Sequence, residues 1–205
     1  METWLSTFGV IFAIVDPFGY VPIFLSLTAG DSEVLRRKMI RKACATAFIV
    51  LTISTFIGQQ VLSFFGISIP ALQISGGLIL LIIGFEMMKI LPVVEKLSQK
   101  EETEAERKED ISIVPLAIPM LSGPAAIASV VVLSSRAQSF ADYPVIISSI
   151  LATLLITYFV LRSSSRLIKI IGVTGLNVMT RVMGLLLCAI AIQYVINGFL
   201  SVKHA

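Results

Sequence analysis

Histidine and cysteine are almost missing from this chain: of 205 residues, one is histidine and two are cysteine. His204 stands beside the last residue, which excludes a serine–histidine nucleophile built within the apolar body of the sequence. Cys44 and Cys188 both fall in apolar runs without metal-ligand spacing, and they read as small buried hydrophobes. Zinc therefore has no ligand set. Charge is scarce as well, at 14% of residues, and Asp16 alone breaks the middle of an apolar run with a carboxylate. Aspartyl chemistry needs two carboxylates sharing a site, and Glu86, near the end of its run, is a poor partner at this level. These absences argue against an intramembrane enzyme; no catalytic residue, metal or cofactor is assigned. The net charge of +3 follows the placement of the loops and points to no nucleic-acid partner.

What the chain has in abundance is apolar length. It is 56% hydrophobic, with a mean hydropathy of +0.93, against about 45–50% apolar content in soluble domains. Too little polar surface remains to cover such a core in water, so the expected solvent is a bilayer. Six segments approach the roughly 20 residues needed to cross a hydrocarbon core: Trp4–Thr28, Ala43–Phe65, Ala71–Ile90, Ile111–Ser134, Pro144–Leu161 and Arg181–Leu200. The first is not read as a signal peptide: no Lys or Arg precedes it, Asp16 sits in its middle, and no clear A-x-A site follows. Fourteen of the sixteen basic residues fall in or beside the segments 29–42, 91–110 and 162–180, leaving Arg136 and Lys203 on the other side. The positive-inside rule makes those three loops cytoplasmic and both termini external.

A slide of 107 positions lays Asp16-Pro17 on Gly123-Pro124, Gly77-Leu78 on Gly184-Leu185, and Glu86 on Gln193. With a one-residue slip, Gly66-Ile67-Ser68 falls on Gly172-Val173-Thr174. The expected architecture is therefore a single all-α transmembrane domain of six helices. Repeat one covers residues 1–90, a charged linker 91–110, and repeat two 111–200. Three crossings per repeat is an odd number, so the repeats are inverted. The Glu-rich linker reads as a solvated connector.

Segments one and four carry matching interruptions, Asp16-Pro17-Phe18-Gly19-Tyr20-Val21-Pro22 and Pro119-Met120-Leu121-Ser122-Gly123-Pro124-Ala125. Asp16 and Gly123 each lie about 18 Å along their segments at helical rise, near the midplane and from opposite faces. Paired breaks in a duplicated membrane chain point to a secondary transporter's substrate site. Asp16 or Gly123 would cap a half-helix with Pro17 or Pro124 first in it, aiming free N–H groups at the midplane. Gly19 removes a side chain one turn in, and Pro22 keeps regular hydrogen bonding from re-forming. Asp16 is either a functional carboxylate or a structural cap, and the two are compatible; an acidic side chain near the bilayer centre costs at least about 2.5–3.5 kcal/mol. The polarity suits a small zwitterion, its ammonium toward Asp16 and its carboxylate at Ser122–Ala125. The walls, Ala13, Val21, Ala125 and Ala126, are small or apolar. Glu86 and Gln193 are candidate coupling residues for a proton or sodium ion, with surface pairing to Lys89 the plain alternative for Glu86. Gly76, Gly77, Gly84 and Gly184 are expected to let helices approach closely.

Three separated motifs now carry a resemblance: Asp16-Pro-x-Gly19-x-x-Pro22-x-Phe24, Ile118-Pro119-Met-Leu-Ser-Gly123-Pro124 and Arg181-Val-Met-Gly184-Leu. Together, and in this order, they resemble the MarC family of bacterial and archaeal inner-membrane proteins, also called the neutral amino-acid transporter family. The resemblance covers nearly the whole chain. It implies six helices in a plasma membrane and transport of small neutral amino acids such as alanine, glycine or serine. The chain departs from the family's pattern at Ala125, where glycine is expected in many relatives; an added methyl there would either narrow the pocket or limit backbone approach. A passive channel, or an exporter of another small polar solute, is the alternative reading; saturable uptake with counterflow separates carrier from pore.

Overall fold

The computed structural model of the chain describes residues 4–28, 30–89, 121–137 and 139–203, and the regular structure among them is helical throughout. Helix α1 (Trp4–Val15) stops where Pro17 disfavours the right-handed helical conformation for Asp16. Asp16 adopts a left-handed backbone instead, φ 42°, which aspartate tolerates better than most side chains. Residues 17–19 form a turn before α2 (Tyr20–Leu27). Ser32 then accepts the Leu35 N–H and opens α3 (Glu33–Phe64). Gly66, at φ 67°, closes α3, with Ile67 N–H returning to the Leu62 carbonyl. Ser68 caps α4 (Ile69–Met87), which has a proline in its first turn. Helix α5 (Pro124–Ser135) starts from Gly123. A short 3-10 turn at Phe140–Asp142, closed by a reciprocal Ser139/Asp142 capping box, leads into α6 (Tyr143–Arg162). Helix α7 (Ser164–Lys203) is bent at Gly172, φ 73°.

Two helix starts differ from the sequence-based expectation. Helix α3 begins at Glu33, not Ala43, so Arg36–Lys42 ride on its first turns and do not lie in a loop at 29–42. Residues 162–180 are likewise mostly helical, with Ser163 between α6 and α7 and Gly172 at the bend. The reason is that apolar length marks only the part of a helix that sits in hydrocarbon. Lysine and arginine are good helix formers and carry the helix on beyond it. The linker 91–110 and residues 111–120 of the fourth expected segment lie outside the described residues.

Among the described residues, four helical stretches are long and apolar enough to cross a membrane: Glu33–Phe64, Ile69–Met87, Phe140–Arg162 and Thr174–Val202. Helices α1 and α5 are apolar but only 12 residues each, about 18 Å against a core of about 30 Å. The outer faces are as oily as the interior. Ile49, Ile53 and Ile57 of α3, Leu151 and Phe159 of α6, and Leu185 and Phe199 of α7 are all exposed. A contiguous apolar exterior of this extent marks lipid as the solvent.

Small residues set the packing. Helices α4 and α7 run antiparallel at close approach: a methyl built on Gly77 would lie 2.8 Å from the Ala191 carbonyl oxygen, and one on Gly84 would lie 3.0 Å from that of Gly184. Leu80 and Leu187 are both buried within this stretch of register. Helix α5 is sunk into the bundle, with nine of its 12 residues buried. Its Val131 presses on Gly58 of α3 and its Ala128 on Gly76 of α4. Lipid tails give apolar helices no reason to prefer one another, so close backbone approach supplies the contact.

Candidate functional site

The first interruption is built around Asp16. Its N–H completes the last turn of α1 by donating to the Phe12 carbonyl at 2.9 Å, and its carboxylate accepts the N–H of Gly19, three residues on. That second bond is the one an N-cap makes. Pro17, however, does not open the following helix, which starts at Tyr20. Gly19 is required at its position because a Cβ there would strike the Asp16 carboxylate. Asp16 is only 5% exposed, and its Oδ1 is buried with no hydrogen-bond partner. Among the described residues, three other buried polar atoms share that condition, on Thr52, Gln73 and Thr153, but none of those side chains ionises. Most buried hydroxyls bond instead to a carbonyl one turn back, as Thr28 does to Phe24 and Thr157 to Thr153.

Tyr20 and Glu86 join Asp16. Both carboxylates act electrostatically on the Tyr20 phenol, and a Cβ on Gly19 would touch the Met87 methyl at 3.4 Å. The end of α4 thus meets the first interruption, and Glu86 is half-buried beside it. At the level of sequence Glu86 is too close to a helix end to be a confident partner for Asp16, and Tyr20 is not singled out. The available signal for Tyr20 was its spacing, i+4 from Asp16.

Ser122, Gly123 and Ala125 of the second interruption are buried, whereas Pro124 is exposed. Ile127 N–H is the first to bond inside α5, to the Gly123 carbonyl at 3.0 Å. The amides of Ala125 and Ala126 precede it, and Gly123 makes no side-chain cap bond to them. They form a buried, donor-only helix end, in which Pro124 contributes no N–H. The two interruptions share one hydrophobic core: Ile14, Val15 and Val21 flank the first, and Leu121, Ala125 and Ala126 flank the second. Pro22 is half-buried on α2. Gln193 is not brought to this region; it is exposed and donates to Asn197 on its own helix at 2.8 Å.

Comparison with known proteins agrees with this membrane architecture. The family model described as "MarC family integral membrane protein" matches residues 1–202. A UPF0056 membrane protein of Methanocaldococcus jannaschii is 36% identical, over 97% of this chain and 96% of its own length. A UPF0056 membrane protein of Buchnera aphidicola is 34% identical, over 98% and 94% respectively. The UPF0056 membrane protein YhcE of Escherichia coli is 35% identical, over 92% and 87%. No solved structure matches the chain significantly. With a family model spanning almost every residue and relatives aligned from end to end, the chain belongs to the MarC family of integral membrane proteins.

Proposed function

We propose that this protein is a secondary transporter for small neutral amino acids across a bacterial or archaeal plasma membrane, working by alternating access. The observation that carries the reading is the buried Asp16 with one oxygen unpaired. An ionised carboxylate in a membrane helix costs several kcal/mol unless a counter-charge meets it. A substrate ammonium meets that need and leaves again. The donor-only start of α5, with the Ala125 and Ala126 amides, suits the substrate carboxylate. Small walls at Ala13, Val21, Ala125 and Ala126 favour a small uncharged side chain. Glu86, acting through Tyr20, is the candidate group for coupling to a proton or sodium ion.

Alternating access in this reading rests on two inverted three-helix repeats, and several landmarks support them. Ser32 and Ser139, 107 residues apart, both cap helical starts. Gly66 and Gly172 both take a left-handed backbone. The Gly77–Ala191 approach becomes the Gly184–Gly84 approach when each partner is exchanged for its repeat equivalent, as a two-fold axis requires. The basic residues near 29–42, 91–110 and 162–180 favour a cytoplasmic position for those segments, with both termini outside.

The test is flux in proteoliposomes. The native protein should give saturable alanine uptake with counterflow, which a pore does not produce. Asp16→Asn should insert normally and lose about tenfold or more in apparent affinity or rate, the size of a hydrogen bond to a charged group. Undiminished transport by a well-inserted Asp16→Asn protein would reduce Asp16 to a helix cap.

A further inference from the structure

A polar cavity of about 160 Å³ lies apart from the Asp16 site, where the end of α6 and the start of α7 meet the start of α3. Four arginines line it, Arg36, Arg37, Arg162 and Arg166, against one acidic residue, Glu33. That carboxylate is already engaged by Arg37 at 3.2 Å, in an exposed pair of small energetic weight. Arg36 is held in place: its Nε and Nη2 donate to the Thr28 carbonyl at 3.1 and 2.7 Å, and its Nη1 donates to Ser165 Oγ at 3.4 Å. Among the described residues, the side chains of Arg162 and Arg166 have neither an ion-pair nor a hydrogen-bond partner.

The placement is electrostatically costly for the protein alone. Arg36 and Arg37 sit in the first turns of α3 and Arg166 in the first turn of α7, the positive ends of long helices where cations are disfavoured. The Ser164 and Ser165 amides at the start of α7 add donors that helix geometry leaves without an internal acceptor. Positive-inside placement explains basic residues on this side of the bundle, but not their convergence on one hollow with their charge left over. An oxyanion resolves all of these features together. Guanidinium forks, hydroxyls and helix-start amides are the donor set that phosphate takes.

The geometry points to a phosphate-binding site in this cavity. The cavity is on the basic side of the bundle, where the headgroup phosphate of an anionic phospholipid can enter from the leaflet and a free phosphate compound from solution. This inference does not depend on the transport reading.

The experiment uses the full-length protein in nanodiscs of phosphatidylcholine. Cys44 and Cys188, both buried and free, report unfolding by reacting with a thiol-sensitive fluorophore on heating. Phosphatidylglycerol in the disc, or inorganic phosphate in the buffer, is titrated and the rise in Tm followed. R162Q/R166Q should shift half-saturation by about tenfold or more, and clearly further than K38Q/R41Q, which removes the same charge outside the cavity. Protection by phosphatidylglycerol alone, weakened by R162Q/R166Q and not by K38Q/R41Q, assigns the ligand to the leaflet. Protection by inorganic phosphate that R162Q/R166Q abolishes assigns it to solution; either result supports the site. Should R162Q/R166Q fail to accumulate, R162K/R166K keeps the charge and loses the planar fork, and should weaken binding by a few-fold. Equal shifts in the cavity and control variants, or no protection by either anion, would overturn the proposal.

Discussion

Asp16 brings together a left-handed backbone, a carboxylate bonded through one oxygen only, and a glycine three residues on that leaves room for it. Each property depends on a neighbour: Pro17 disfavours helix at Asp16, the Gly19 N–H fixes one carboxylate oxygen, and the surrounding apolar side chains leave the other bare. Glycines within the helices are governed by contact, whereas Gly66 and Gly172 are governed by a left-handed backbone. Gly77 faces the Ala191 carbonyl oxygen 2.8 Å from where a Cβ would stand, while Gly9, on the exposed side of α1, has nothing within 4 Å. Gly77→Ala must therefore push α4 and α7 apart and should destabilise the protein by about 1–3 kcal/mol. Gly9→Ala should be neutral or stabilise by up to about 1 kcal/mol. Denaturation of both variants in matched detergent checks the contrast, and equal stability would place the α4–α7 contact elsewhere.

At the scale of elements, α5 is the unusual helix. It is short, it is buried along most of its length, and its start has no capping side chain. A helix of 12 residues sealed among α1, α3 and α4 cannot exchange its N-terminal amides with lipid, so they bond to protein, water or ligand. Gly123→Asp would place a fixed carboxylate at this end, satisfying the amides and occupying the position proposed for the substrate's own carboxylate. It should abolish transport by protein that still inserts in the membrane. A companion competition assay reads the same end from the ligand side. Alaninamide, lacking the carboxylate, should compete much less well than alanine, whereas 2-aminobutyrate should lose only about 1–3 kcal/mol for its added methylene. Equal competition by alaninamide would remove the carboxylate from this helix start.

Across the whole molecule the two ends differ in chemistry. Trp4, Phe64, Phe65, Phe140 and Tyr143 gather where α1 and α6 start and α3 ends; Phe56 stacks on Tyr143 with centroids 5.3 Å apart, and Trp4 donates to Ser148 at 3.0 Å. Arg36, Arg37, Arg162 and Arg166 gather at the other end. Aromatic side chains suit either membrane interface, but basic ones are retained on the cytoplasmic side, so the arginine end should face the cytoplasm. In a background with Cys44 and Cys188 replaced by serine, cysteines at positions 3 and 203 should react with an impermeant thiol reagent applied to intact cells. One at position 99 should react only after permeabilisation. Labelling of position 99 from outside would invert the orientation.

Local information settled the class of this protein. Apolar run length and overall hydropathy are sums over neighbouring residues, so the four long apolar helices among the described residues are legible in the amino-acid order, and so is the family, through motifs that lie within short windows. Aspartate followed by proline and then glycine likewise signals a helix stop wherever it falls. Helix ends beyond the hydrocarbon were not legible from hydropathy, because the charged residues at the start of α3 and along α7 favour helix in water as well. The meeting of Asp16, Tyr20 and Glu86, the burial of α5 and the convergence of four arginines on one cavity were decided only by the tertiary structure. Each joins residues far apart in the chain. Which helix face meets which is fixed by close packing of glycines and alanines across α3, α4, α5 and α7, and that contact is a property of pairs of helices which neither sequence segment carries alone.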